Sequence, residues 1–169
     1  MRNYFITGED TSDILNLVKP GDILLRNFNC FLNIFLFREY FDSCLYTGKH
    51  IIVKFNNGKI EYSNLISFLR SDKILVLRIN ESKILNHLDA KQKAIDRCHQ
   101  FVEISKNYDV NFNLECAEEF EVPISCYKEL GFLKTFNIRK RKYMYSDFSL
   151  LNSPFFKIIY KKEKGKKYE

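Results

Sequence analysis

A chain of 169 residues that is 46% hydrophobic, with 16 Phe and 10 Tyr against 6 Gly and 3 Pro, can bury one respectable core, which excludes a disordered or linker-rich protein. Its formal net charge of +6 gathers in RKRK (Arg139, Lys140, Arg141 and Lys142) and in KKEKGKK (Lys161–Lys167). Five cysteines, at positions 30, 44, 98, 116 and 126, form no CxxC pair and no metal-like spacing with the three histidines, so no zinc constellation is present and the odd, scattered count fits a reducing compartment better than a disulfide scaffold.

The opening MRNYFITGEDTSDILNL is too charged and polar for a signal peptide. The longest apolar run, Phe31–Phe37, contains Asn33 and is too short to span a bilayer, so a cytoplasmic protein is expected. Asp10 or Ser12 is expected to cap a helix over Ile14, Leu15, Leu17 and Val18 that stops at Pro20. KPGDILL then turns at Pro20–Gly21 into a strand, Ile23–Arg26. NCFLNIFLFREYF is apolar at helical and strand spacing alike, with helix favoured for its first part and a core position preferred over a substrate groove.

SCLYT (43–47), HIIVKF (50–55) and KIEY (59–62) read as strands separated by turns at Gly48 and at Asn56–Asn57–Gly58. SNLISFL reads as a brief helix and KILVLRI (73–79) as a β-branched strand. From Asp89 to Ser105, the apolar positions Ala94, Ile95, Cys98, Phe101 and Val102 recur at helical spacing. A second helix is expected from Cys116 to Leu130, kinked or split at Pro123 and stopped by Gly131. KTFNI and FFKIIYKK read as closing strands. The order implies an α+β fold, an antiparallel sheet packed against helices on one side, in a single domain over 1–169 with a basic tail from about 161 to 169.

KPGDILL, LYTG followed by HIIVKFNNGKIEYSNLISFL, NYDVNF before ECAEEF, and YSDFSLLNSPFFKII occur in that order. This succession resembles the permuted papain-like cysteine hydrolases, the YiiX-type branch of the NlpC-like superfamily that includes poxviral members. Each motif alone is weak; the specificity lies in their order across residues 19–160. The resemblance implies a circularly permuted papain-like fold in which a histidine comes first, a polar orienting group next and the nucleophilic cysteine last. Cys116-Ala117-Glu118-Glu119-Phe120 matches the family's Cys-Ser-Glu-Leu-Val box. That match implies Cys116 as nucleophile at a helix N-terminus, where unpaired N–H groups and the helix dipole favour a thiolate and an oxyanion.

Two departures accompany the match. Aligning CLYTG with the family's IYxG turn puts Asp42 at the histidine position and Lys54 at that of the orienting residue. A carboxylate (pKa about 3.9) is a poor proton acceptor for a thiol (about 8.5), and an ammonium has no lone pair to accept with. A second register instead matches His50-Ile51-Ile52-Val53 to the start of the family's strand, at the expense of LYTG. Cys126 is expected in the core; Cys30, Cys44 and Cys98 lie on apolar faces as small hydrophobes. His99 reads as a helix-flank residue, His87 as a loop residue, Tyr108–Asp109 as a structural turn and Gly21–Asp22 as a tight turn.

Three functions compete. One is a thiol hydrolase or acyltransferase acting through Cys116 and His50 on an amide, peptide or ester bond of a small-molecule, peptide or lipid-amide substrate. Another is a pseudoenzyme of the same fold that binds or regulates. The third is a protein that meets an anionic surface through Arg139, Lys140, Arg141 and Lys142, without a specific nucleic-acid signature. No phosphate loop or dinucleotide fingerprint is present, so no cofactor is expected.

Overall fold

Beyond the C-cap of the first helix at Val18, Pro20 and Gly21 turn the chain into the first strand. Gly21 sits at φ +91°, and a Cβ there would lie 3.0 Å from the Tyr127 hydroxyl, so both the turn and its neighbour require glycine. The computed structural model from which these positions come describes residues 5–28, 40, 42–56, 58–107, 121–128 and 153–163. The expected elements over 29–39, 116–120 and 129–138, the RKRK cluster, Cys30, Cys116 and Tyr108–Asp109 lie outside the described residues.

Among the described residues, six strands form one antiparallel sheet: β1 (Ile23–Asn27), β2 (Asp42–Gly48), β3 (Ile51–Asn56), β4 (Lys59–Asn64), β5 (Lys73–Ile79) and β6 (Phe156–Lys162), in the order β4-β3-β2-β1-β5-β6. The helices are α1 (Gly8–Leu17), α2 (Leu65–Leu69), α3 (His87–Asn107) and α4 (Glu121–Lys128). Ile23, Leu25, Leu45, Val53, Leu75 and Leu77 join a core with α3 and α4, while Leu24, Cys44, Tyr46, Ile52, Ile74 and Val76 join another with α1 and α2.

Helices therefore cover both faces, not one as expected. The cause is written in the central strands: Ile23-Leu24-Leu25 and Ile74-Leu75-Val76-Leu77 are apolar at every position, and a strand with two apolar faces buries both.

Other expectations shift locally. Thr7, not Asp10 or Ser12, is the N-cap of α1. Its Oγ1 accepts from Asp10 N at 3.2 Å while Asp10 Oδ2 accepts from Thr7 N at 2.9 Å, a reciprocal capping box. His50 stands in the β2–β3 turn rather than opening β3. His87 is the first residue of α3 and not a preceding loop residue. Lys161 and Lys162, assigned above to a basic tail, are the last residues of β6; they pair with Glu163 and Asp10.

One ion pair holds the turn to the sheet. Arg78 donates from Nε to Asp22 Oδ1 (2.9 Å) and from Nη2 to Asp22 Oδ2 (2.7 Å), and Nη2 also reaches the Leu17 carbonyl at 2.7 Å. Asp22 Oδ2 accepts in addition from Lys19 N at 2.7 Å. The Asp22 side chain is fully buried and that of Arg78 is 11% exposed. Removing one partner of such a pair strands the other charge, so Asp22→Ala is expected to lower unfolding stability by about 3–5 kcal/mol, read from urea titrations.

A pH dependence follows from Asp10. Burial alone would raise its pKa, but hydrogen bonds from Lys162, Thr7 and Tyr160 outweigh it and hold the carboxyl at about 2, below the ordinary 3.8. Its stabilising contribution is therefore complete above the ordinary value and is lost as pH falls through about 2. Asp10→Asn should cost about 1–2 kcal/mol at pH 6, a difference that shrinks below about pH 4 and vanishes only below about pH 2 in acid-unfolding curves.

Candidate functional site

Asp42 opens β2 directly opposite Arg26 of β1. Arg26 donates from Nε to Asp42 Oδ2 at 2.7 Å, and its Nη2 lies 2.6 Å from the same oxygen. Nη1 reaches the Phe68 carbonyl at 3.1 Å, and the guanidinium stacks 4.3 Å from the centre of the Phe68 ring and 4.8 Å from that of Phe28. Asp42 Oδ1 is buried and, among the described residues, has no hydrogen-bond partner. The carboxylate is thus committed to a cation that is itself held by aromatic faces and the C-terminal carbonyls of α2.

Strand alternation places Cys44 on the same face, with Lys54 opposite it across β3. Burial pushes the Cys44 thiol well up, Asp42 adds to that rise, and the charges of Arg26 and Lys54 only partly oppose it. A thiol so placed stays protonated and inert. Asp42, Cys44 and Lys54 all belong to the α1/α2 face, with Lys54 on the diagonal from Asp42, about 7–8 Å away.

His50 lies at the other end. Lys49 (φ +50°) and His50 (φ +62°) occupy the two-residue turn between Gly48 and Ile51, in the left-handed geometry that favours Asn-Gly. His50 N donates to the Tyr46 hydroxyl at 3.4 Å, and its carbonyl accepts from Leu65 N, at the start of α2. Asp42 and Gly48 are six residue steps apart on one strand, roughly 20 Å, so His50 and Asp42 cannot serve one reacting atom.

The helix that follows the Cys116 segment stands on the opposite face. Val122, Cys126 and Tyr127 of α4 pack with α3 against Leu45 and Val53. The Tyr127 hydroxyl donates to the Gly21 carbonyl at 2.5 Å, which ties α4 to the tight turn at Gly21–Asp22. On this face, near the Asp42 end of β2, Ser43 of β2 and Asn27 of β1 are buried polar side chains. His99 of α3 is hydrogen-bonded through Nδ1 to the Tyr62 hydroxyl of β4 at 2.7 Å.

The structure thus gathers Arg26, Asp42, Cys44 and Lys54 and leaves out His50. Arg26 and Arg78 escaped the sequence reading, although an arginine inside ILLRN or KILVLRI, at an inward position of an apolar strand, signals a buried counter-charge. Among the described residues no group of three or more His, Cys, Asp or Glu could hold a metal ion, and no helix is long and apolar enough to cross a membrane.

The fold resembles a solved one. The chain superposes on the metalloprotein YiiX from Escherichia coli O157:H7 with a TM-score of 0.60 over 86% of this chain and 98% of that one, at 16% sequence identity. No family model matches the sequence, and no curated protein does. The likeness is one of fold: a mixed α and β chain built on a six-stranded antiparallel sheet.

Three outcomes test this geometry. Asp42→Ala should lower stability by about 2–4 kcal/mol in urea titrations, because Arg26 loses its counter-charge. Cys44 should react with a disulfide reagent at pH 8 only in denaturant, as peptide mapping would show. The double substitution Lys49→Asn and His50→Gly should raise stability by about 1 kcal/mol by relieving two left-handed residues.

Proposed function

We propose that this chain is a papain-like protein of the YiiX type that works as a binding or regulatory module rather than through a thiol–histidine pair. The observation that carries this proposal is the Arg26–Asp42 ion pair at the position where the resemblance calls for a histidine. A general base must offer its lone pair to the thiol, and the Asp42 carboxylate offers Oδ2 to the Arg26 guanidinium instead. Lys54 cannot replace it, and both residues point to the α1/α2 face, with the sheet between them and α4.

The fold likeness to YiiX, spanning 98% of that chain, favours a second function, a thiol hydrolase or acyltransferase. There Cys116 attacks an amide, peptide or ester carbonyl to form an acyl-enzyme, and His50 acts as base. The substrate would be a small molecule, a peptide or a lipid amide.

Cys116 alkylation separates the two. With iodoacetamide and peptide mapping, a binding module gives a Cys116 rate that climbs roughly tenfold per unit from pH 6 to 8, as for an unassisted thiol of pKa about 8.5. A rate already flat below pH 7, and lowered by His50→Ala, would overturn the module and establish the hydrolase.

A further inference from the structure

Cys98 on α3 and Cys126 on α4 bring their Sγ atoms to 2.8 Å in the core between the two helices. Both side chains are fully buried. Their surroundings are apolar, among them Phe101, Val102, Val122 and Tyr127. A covalent S–S bond is about 2.05 Å long, so closing this gap takes about 0.8 Å, within the reach of small rotations about the two Cα–Cβ bonds. Cys44 cannot compete, because it packs on the other face of the sheet.

We propose that Cys98 and Cys126 form a thiol-oxidation site, converted to a disulfide by a small-molecule disulfide of the glutathione class. Opening of α4 from α3 exposes one thiol, which loses its proton and attacks the reagent's S–S bond. That bond breaks, a mixed disulfide forms and one small thiolate leaves to take up a proton. The second cysteine, deprotonated in turn, attacks the protein sulfur of the mixed disulfide, forms the Cys98–Cys126 bond and expels the second small thiol. Two protein thiols are oxidised and one small disulfide is reduced to two thiols, so atoms and electrons balance. The bond ties α4 to α3 and closes a covalent ring that includes Cys116, whether or not Cys116 reacts.

The test refolds the full chain from urea in buffers of increasing oxidised-to-reduced glutathione ratio, returns it to urea with iodoacetamide so that every remaining thiol is trapped, buried ones included, and maps peptides after combined trypsin and Glu-C cleavage. Glu118, Glu119 and Glu121 lie between Cys116 and Cys126, so the digest assigns the partners. The expected product carries alkyl groups on Cys30, Cys44 and Cys116, a reducible link between the peptides of Cys98 and Cys126, and an unfolding midpoint raised on the order of 10 °C over the reduced protein. A Cys116→Ala chain should give the same link, so the result is independent of the function proposed above. Folded protein with all five thiols alkylated at the most oxidising ratio, or links that chiefly join other cysteines, would overturn the site.

Discussion

The buried pair between Asp22 and Arg78 is the constraint around which the described fold is arranged. Two charges far from water are tolerable only when every polar edge is engaged, and here the engagement reaches into separate parts of the chain. Asp22 closes its own turn through Lys19, Arg78 fixes the carbonyl end of α1, and the backbone of the same turn pairs with Tyr46 of β2. Tyr127 adds α4 from the far side of the sheet by bonding to the Gly21 carbonyl. The motif GDILL, weak as a signature, is in physical terms a joint where two helices and three strands meet.

The sheet is also a partition. Because both of its faces are buried, a shift of one residue in an alignment moves a side chain from one core to the other, with a wall of Leu and Ile in between. Chemistry cannot be carried over by letter alone under such a rule. Strand β2 supplies a carboxylate at its first residue, and a guanidinium from the neighbouring strand has closed upon it. A carboxylate near a sheet end is thus held in a structural role by one countercharge.

Much of the architecture was legible in the sequence. Strands 43–47 and 73–79, the brief helix of SNLISFL and the long helix around Ala94–Val102 stand where periodicity puts them, within a few residues at each end. Uninterrupted apolar runs in the central strands also carried the news that both faces are covered, although an antiparallel reading alone suggests one wet face. The N-cap moved because a Thr-x-x-Asp box satisfies two backbone donors at once, which a lone Asp or Ser does not. His50 left its strand because a two-residue turn fits the strand twist even with Lys and His in it, against local preference. Least legible was the candidate site, since pairing across strands depends on register, which spacing within one strand does not encode.

Strand β6 reaches back to β5 across a span in which Phe156 pairs with Ile79. Ordering that contact requires closing a long loop late, after the four strands from β1 to β4 have had the chance to pair locally. A chain still being synthesised therefore presents the outer side of β5, a strand rich in Leu, Ile and Val, as an open template until residues beyond 160 emerge. The hazard of intermolecular strand addition then falls on the nascent polypeptide; in the mature one, among the described residues, β6 with its lysines covers β5 and forms the end of the sheet.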